Sequence, residues 1–228
     1  MSPIKAVGFD LDGTFISTHV DYDALYNADR VVLDRLGLPF NGIFGDDPPS
    51  KRRRAPIRRW MEENGCGERF PEVDRAIDDR CTEVETENVD SAEPYPRSLE
   101  CIADLKSKGL KVGLLTRGCH EYARILLTMF DVYDDMDAVM GRDHTCYDDS
   151  KPSPKAMVDF ASLLGVRPEE ILYLGDNVSD YRSAKDAGAV FVGVLSGAMD
   201  EKAWADVDPD VRTIPYAGDV VNIIDEYL

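Results

Sequence analysis

Short apolar runs of four to six residues recur along the chain, separated by longer segments of mixed polarity. Each run has the length of a β-strand, and the first of them ends abruptly at an aspartate and a glycine turn. The pattern predicts five strands, at residues 5–9, 111–116, 137–140, 171–175 and 190–195.

The segments between these runs have the periodicity of amphipathic helices. Helices are predicted at residues 97–108, 120–130, 154–164 and 178–187. Glycines at positions 109, 165 and 188 stand where they can cap three of the helix C-termini. Strands that alternate with helices pair in parallel through right-handed crossovers, so the predicted fold class is α/β with a doubly wound parallel sheet. Ligands of such a sheet bind at the carboxyl ends of its strands.

Residues 18–93 interrupt this alternation, because they have helical periodicity at 22–36, 55–63 and 72–84 but no convincing strand. We interpret them as an inserted helical cap domain, and residues 1–17 and 94–228 as the core domain. The insert leaves after the turn that follows the first strand and returns through a proline-rich segment, which would place it over the strand ends as a lid. The last residues, 220–228, are predicted to form a closing helix.

The first candidate for chemistry is the sequence Asp10-Leu11-Asp12-Gly13-Thr14, which follows the first predicted strand. Two carboxylates at positions i and i+2 can both reach the space above the sheet if the chain turns, and Gly13 permits that turn. One carboxylate can then attack a substrate while the other transfers protons. The alternative is an ordinary Asp-Gly turn with two solvated acids.

Two further signals concern anion binding. Thr116, Arg117 and Gly118 follow the second strand, where a hydroxyl and main-chain amides can cradle a phosphate at a helix N-terminus. Thr116 could instead simply cap that helix. Lys151 precedes the helix predicted from Pro154 and could neutralise both an attacking carboxylate and phosphoryl oxygens. A surface lysine in a proline-rich turn is the alternative.

The fourth signal is a pair of acids, Asp176 and Asp180, after the strand predicted at 171–175. At a strand-to-helix junction they can offer oxygen ligands to a hard cation such as Mg²⁺. The alternative is an Asp176 that caps the helix, with Asp180 solvated in its first turn.

Taken in order, these four motifs make the sequence resemble the haloacid dehalogenase superfamily of hydrolases, over residues 5–195. The resemblance implies a Rossmann-like core, a helical cap inserted after the first motif, and a bound Mg²⁺. It implies that Asp10 is the nucleophile and Asp12 the acid/base, and that Thr116 and Lys151 hold phosphate. It further implies metal ligation by Asp10, Asp176 and the main-chain carbonyl of Asp12, with Asp180 orienting water or Lys151.

The expected activity is therefore Mg²⁺-dependent hydrolysis of a small phosphorylated metabolite through an aspartyl phosphate. A phosphosugar mutase of the same superfamily is the nearest alternative, although Thr14 resembles the phosphatase version of the first motif. A dehalogenase is disfavoured by Asp12, and an inactive binding module by the filled catalytic positions. Many members have Asn after the motif-two hydroxyl where this chain has Arg117, which could pair with an acid of the cap or with an anionic group of the substrate.

The formal net charge of −18 at neutral pH repels nucleic acid and anionic membrane surfaces, so neither is expected as a partner. No apolar run approaches the roughly 20 residues of a spanning helix, and the N-terminus lacks the pattern of a secretory signal, so a cytoplasmic location is expected. The acidic balance, with 17 Arg against 9 Lys, also suggests the hypothesis of a halophilic protein. Retention of full stability in dilute buffer would contradict that hypothesis.

The predicted cap contains a basic run at residues 51–59, in which six of nine residues are Lys or Arg. It could form an anion-collecting surface that attracts a phosphorylated metabolite. Alternatively, it could be a solvated helix face paired with nearby acids such as Glu62 and Glu63. The sequence leaves the substrate open among phosphoglycolate, sugar phosphates and nucleotides, and it does not indicate an oligomeric state.

Overall fold

The five predicted apolar runs form strands of one parallel sheet in the computed structural model, which describes residues 3–46, 54–144 and 146–228. A sixth strand extends this sheet at one edge, and two short strands form a separate antiparallel pair. In chain order the strands are β1 (Ala6–Phe9), β2 (Ile16–Ser17), β3 (Glu93–Pro94), β4 (Lys111–Leu115), β5 (Ala138–Met140), β6 (Ile171–Gly175), β7 (Val190–Val194) and β8 (Arg212–Ile214). The order across the large sheet is β5-β4-β1-β6-β7-β8.

The chain divides into two compact units. We call the residues up to Thr18 and from Asp90 onward the core unit, and His19–Val89 the inserted unit. In chain order the helices are α1 (Tyr22–Tyr26), α2 (Ala28–Arg35), α3 (Phe40–Phe44), α4 (Arg54–Glu63), α5 (Phe70–Thr86), α6 (Glu100–Ser107), α7 (His120–Met129), α8 (Pro154–Leu164), α9 (Val178–Ala187) and α10 (Glu201–Val207). Helices α1 to α5 belong to the inserted unit, and α6 to α10 to the core unit.

The central strand of the sheet is β1, which pairs in parallel with β4 on one side and β6 on the other. All four of its residues are buried, which is why the sequence there is an apolar run rather than an alternating one. Phe160 of α8 packs edge-on against Tyr173 of β6, with 6.4 Å between ring centroids. Each fully buried side chain of this size stabilises the fold by ~1.5–3 kcal/mol. The prediction of a doubly wound parallel α/β fold is confirmed.

Two predictions for the core unit need correction, and two of its elements were missed. The closing helix predicted at 220–228 is absent; 3-10 turns occupy Ala217–Asn222 and Ile224–Glu226, with Ile223 N–H donating to the Val220 carbonyl three residues back. Helix α6 begins at Glu100 rather than at residue 97, because Arg97 has a positive φ of 60° that no α-helix accommodates. Strand β8 and helix α10 were not predicted, although β8 pairs along Val192–Val194.

The antiparallel pair of β2 and β3 lies where the chain leaves the core unit and where it returns. Ile16 pairs with Pro94 and Ser17 with Glu93, in antiparallel register. Tyr95 continues the ribbon by donating its N–H to the Phe15 carbonyl at 3.3 Å. The two ends of the connection to the inserted unit are therefore joined by main-chain pairing inside the core unit.

The described residues of the inserted unit form helices and no strands. Ile57 and Met61 of α4, with Val73 and Ile77 of α5, are buried in one apolar cluster, as the four-residue spacing of each pair requires. The single helix predicted at 22–36 is two helices, α1 and α2, which meet at Asn27. The amide Nδ2 of Asn27 donates to the main-chain carbonyl of Asp23 at 2.8 Å, competing with helical pairing.

The basic run is only partly described, since residues 51–53 lie outside the described part of the chain. Arg54 is buried, with Nε 2.8 Å from Asp74 Oδ1 and Nη2 3.1 Å from Asp78 Oδ1. The solvated interpretation expected an exposed residue paired with acids such as Glu62 and Glu63. Arg54 does not agree with it, because it is buried and pairs with acids of α5 instead. Among the described helices, none combines the length and the apolar content that crossing a bilayer requires.

Candidate active site

Three of the predicted site residues stand directly after neighbouring parallel strands. Asp10 follows β1, Thr116 follows β4 and Asp176 follows β6, and these strands lie side by side in the sheet. The main chain keeps the sheet register beyond the strands, because Asp10 N–H donates to the Leu174 carbonyl and Thr116 N–H to the Met140 carbonyl, both at 2.9 Å. Since parallel strands end at the same edge, the fold brings these side chains together there.

Lys151 occupies the centre of this edge and is 1% exposed. Its ammonium Nζ lies 2.6 Å from Asp10 Oδ1 and 2.5 Å from Asp180 Oδ1. The Leu115 carbonyl oxygen and the Tyr173 hydroxyl oxygen each lie 2.9 Å from Nζ, so four oxygens surround an ammonium that has three protons. Burial lowers the pKa of Lys151, but the charges of Asp10 and Asp180 raise it by more than burial lowers it. The net pKa is therefore well above the ordinary value. The alternative interpretation, a surface lysine in a proline-rich turn, was wrong, because Lys151 is buried and its raised pKa keeps it charged.

Asp10, Asp176 and Asp180 form a cluster in which one ligand oxygen from each lies within 4.8 Å of the others. Burial raises the pKa of Asp10 well above its usual range, although the charge of Lys151 opposes this. Burial and the neighbouring charge of Asp180 raise the pKa of Asp176 to about 6. Three buried carboxylates thus stand beside one buried ammonium, which contacts two of them, Asp10 and Asp180. When all three are ionised, the cluster holds an excess of negative charge away from water.

This excess is the observation that tests the site against a metal. A hard divalent cation such as Mg²⁺ takes carboxylate and carbonyl oxygens as ligands, and its charge offsets carboxylates that burial disfavours. The donor set is all oxygen and no buried cation other than Lys151 stands beside it among the described residues. The residues present therefore fit Mg²⁺.

The junction between β6 and α9 holds two of the acids in place. Asn177, not Asp176, is the N-cap of α9, and its N–H donates to Asp180 Oδ2 at 3.1 Å. Asp176 Oδ2 accepts the Ala198 N–H at 2.7 Å. Asp180 is 1% exposed, so neither part of the alternative, a capping Asp176 with a solvated Asp180, agrees with the structure.

Asp12 lies apart from the carboxylate cluster and has partners of its own. The turn that carries it uses a positive φ of 78° at Gly13, as the sequence indicated. Asp12 Oδ1 accepts hydrogen bonds from Thr18 Oγ1 at 2.5 Å and from the Tyr122 hydroxyl at 2.7 Å. Burial raises the pKa of Asp12, while these two hydrogen bonds lower it, and the net direction is upward.

The segment after β4 forms a tight loop before α7. Gly118 N–H donates to Thr116 Oγ1 at 2.9 Å, and the N-cap of α7 is Cys119, so Thr116 does not cap the helix. Arg117 is exposed on this loop. Arg142, a buried residue after β5, supports the loop from below, since its N–H donates to the Gly118 carbonyl at 2.9 Å and its Nη1 to the Arg117 carbonyl at 3.4 Å.

The structure thus groups every predicted site residue at one edge of the sheet, and it adds partners that the sequence did not reveal. Tyr173 lies inside an apolar strand, where a tyrosine is usually core packing, and Tyr122 lies on the buried face of a helix. Thr18 is four residues beyond the first motif. A hydroxyl in an otherwise fully buried strand was the one available signal, for Tyr173, because buried hydroxyls need partners.

Comparisons with known proteins agree with this geometry. The family model of the haloacid dehalogenase-like hydrolases matches residues 4–188. The chain is 30% identical over 229 residues to a phosphoglycolate phosphatase of Salmonella choleraesuis, covering 91% of this chain and 88% of that protein. A phosphoglycolate phosphatase of Nitrosococcus oceani is 28% identical over 218 residues, with 88% of each chain covered.

Solved structures share the fold at lower identity. A hydrolase from Pseudomonas syringae superposes with a TM-score of 0.63 at 21% identity, covering 97% of this chain and 98% of that one. A β-phosphoglucomutase from Clostridium difficile superposes with a TM-score of 0.63 at 19% identity, covering 98% of both chains. Because the same fold carries a hydrolase and a mutase, these structures speak for the architecture alone.

Proposed function

The chain belongs to the haloacid dehalogenase-like hydrolase family, and we propose that it hydrolyses a small phosphate monoester through an aspartyl phosphate on Asp10. The observation that carries this proposal is the contact of Asp10 and Asp180 with the buried ammonium of Lys151, in a cluster of oxygen ligands that Asp176 completes. A carboxylate held at a strand end by a lysine, beside further oxygen ligands, is arranged to approach a phosphoryl group.

In the first step, a carboxylate oxygen of Asp10 forms a bond to phosphorus while the bond from phosphorus to the ester oxygen breaks. Asp12 gives a proton to the departing alkoxide, so the alcohol leaves neutral. In the second step, water attacks the phosphorus of the aspartyl phosphate and Asp12 takes a proton from that water. The Asp10 carboxylate and inorganic phosphate are released, and Asp12 has served as acid and then as base.

Lys151 and Thr116 would hold the transferred group. Lys151 already touches Asp10, so its charge reduces the repulsion between that carboxylate and an incoming phosphate. Thr116 Oγ1 accepts a hydrogen bond from Gly118, and among the described residues it donates to none, which leaves its proton for a phosphoryl oxygen. We assign Arg117 and Gly118 to substrate binding through their place on the same loop.

The carboxylates of Asp10, Asp176 and Asp180 and the main-chain carbonyl of Asp12 would be the Mg²⁺ ligands. When bound, the ion would supply positive charge against the phosphoryl oxygens. Asp180 has a second task in this proposal, because its contact with Lys151 keeps the ammonium directed at Asp10.

Phosphoglycolate is the first candidate substrate, because it is the compound in the names of the similar curated proteins. It is a small phosphate monoester and thus of the chemical class that the site would accept. Phosphosugar mutase activity would use the same residues, with a second hydroxyl of a sugar in place of water as the final acceptor.

The test is a panel of phosphate monoesters, including phosphoglycolate, assayed for phosphate release with Mg²⁺ by the wild type and by Asp10→Asn. We expect release by the wild type and a loss of at least about a thousandfold in Asp10→Asn, since no acyl phosphate can form. Asp206→Asn, an exposed change on α10, is the control. Undiminished release by Asp10→Asn, or none by the wild type, would contradict the proposal, whereas transfer without release would identify a mutase.

A further inference from the structure

Tyr122 joins two parts of the candidate site that are far apart in sequence. It lies in the first turn of α7, directly after the loop of Thr116 and Gly118, and it is 1% exposed. Its hydroxyl donates to Asp12 Oδ1 at 2.7 Å, across 110 positions of the chain. A buried hydroxyl is stabilised only when it has such a partner, so the side chain is confined to this orientation.

Both donors to Asp12 meet the same oxygen atom. Thr18 Oγ1 and the Tyr122 hydroxyl both donate to Oδ1, and no described residue other than Asp12 itself donates to Oδ2. Two donors on one oxygen fix the plane of the carboxylate. They also make the two oxygens unequal, because Oδ1 is occupied as an acceptor while Oδ2 is left to exchange a proton with the substrate.

The packing of Tyr122 connects this arrangement to the phosphate loop. A Cβ built at Gly118 would lie 2.8 Å from Tyr122 Cδ1, closer than side chains pack. Glycine at position 118 is therefore what allows the ring to lie against the loop and reach Asp12. Tyr122 N–H donates to Cys119 Sγ at 3.3 Å, which anchors the residue at the start of the helix.

We propose that Tyr122 is a positioning residue for Asp12, holding its carboxylate so that Oδ2 faces the leaving oxygen of the substrate. This inference rests on the proposed function, in which Asp12 is the acid and base. It assigns Gly118 a further task, that of giving the Tyr122 ring its place. Tyr122 acts through Asp12 and need not touch the phosphate.

The test compares two substrates with different needs for an acid. 4-Nitrophenyl phosphate has a leaving group that departs without protonation, whereas phosphoglycolate, or the best alkyl phosphate of the panel, requires it. For Tyr122→Phe we expect kcat/KM to fall about tenfold to hundredfold with the alkyl ester, and less than about threefold with 4-nitrophenyl phosphate. Inhibition by inorganic phosphate should be unchanged, because Thr116 and Lys151 are intact.

A general structural effect would lower kcat/KM by the same factor for both substrates, and that result would overturn the inference. The matched control is Tyr181→Phe on α9, which removes a hydroxyl that donates to Asp208 Oδ2 at 2.6 Å. This change should leave both kcat/KM values near those of the wild type. Thr18→Val removes the other donor to Oδ1 and should reproduce the selectivity of Tyr122→Phe. If Asp12→Asn discriminates between the substrates and Tyr122→Phe does not, the inference fails while the proposed function stands.

Discussion

Lys151 in the core unit and Arg54 in the inserted unit are each buried between two carboxylates, yet the two arrangements differ in what surrounds them. Lys151 lies between Asp10 and Asp180, whose side chains are 11% and 2% exposed. Arg54 lies between Asp74 and Asp78, whose side chains are 27% and 30% exposed. In the inserted unit water still reaches the acids, so the ion pairs are partly solvated.

The second difference is the balance of charge. The core unit adds a third buried carboxylate, Asp176, to the pair around Lys151, and this cluster lies where β1 and β6 end. In the inserted unit the acids lie one turn apart on one face of α5, where burial raises the pKa of Asp74 and Arg54 opposes it. Residue types alone therefore do not separate a structural ion pair from a cluster of the kind we propose to be reactive. An uncompensated excess of buried acids does.

The largest effect is expected from Lys151→Met, which removes the cation from the core cluster. We expect kcat/KM to fall about hundredfold to thousandfold, because Asp10 loses its partner and the phosphate its screening charge. The free energy of unfolding, measured in urea, should fall by ~3–5 kcal/mol, since three buried acids are left without compensation.

The control for this change is Lys155→Met, which removes an exposed ion pair with Asp159 on α8 and should change stability by less than about 0.5 kcal/mol. If both lysine variants had the same stability and activity, the contrast between buried and solvated pairs would be wrong.

A metal-binding measurement tests the charge excess directly. With Mg²⁺ a hundredfold above its Kd, the free energy of unfolding of the wild type should rise by ~2.7 kcal/mol, and EDTA should reverse the gain. Asp176→Asn should lose most of this gain, because it removes one of the three carboxylates. Asp74→Asn, in the inserted unit, should retain it. Equal gains in the two variants would show that the cluster is not where Mg²⁺ binds.

The smallest effect is expected from Arg54→Met in the inserted unit. Its carboxylate partners can turn to solvent, so we expect a loss of only about 1–2 kcal/mol in unfolding free energy. The chain has two tryptophans, Trp60 on α4 and Trp204 on α10, so Trp204→Phe and Trp60→Phe backgrounds report on each unit separately. The loss should appear in the Trp60 signal. A shift confined to the Trp204 signal would contradict the assignment of Arg54 to the inserted unit's stability.

Much of the core unit could be predicted from sequence because its information is local. Buried parallel strands are apolar runs, and the acids that follow them are visible in the sequence itself. Arg212-Thr213-Ile214 escaped notice because a three-residue edge strand with polar side chains has no pattern distinct from a loop. The apolar residues at 220–228 suggested a helix, but Val220 and Ile224 are buried by 3-10 turns, which place apolar groups inward without the period of an α-helix.

Of the candidate site, only the groups to which we assign direct roles in the proposed reaction were predictable. These groups stand at positions where the chain turns over the sheet, and the fold class alone brings them together. They are Asp10, Asp12, Thr116, Lys151 and Asp176. Tyr122 and Thr18 matter because of where their hydroxyls lie in space, and neither position has a local pattern that points to Asp12. Lys151 was foreseen as a residue but not as buried, because a proline-rich turn usually faces solvent.

The antiparallel pairing of β2 with β3 affects how this chain can vary in sequence and length. Ile16 and Pro94 are paired neighbours, so the segment between them is a closed loop whose ends meet whatever it contains. The entropy of closing such a loop grows slowly, by about 0.6 kcal/mol for each doubling of its length. Lengthening, shortening or exchanging the insert therefore costs the sheet little. The insert can therefore change in length and sequence during evolution while Asp10 and its partners keep their places.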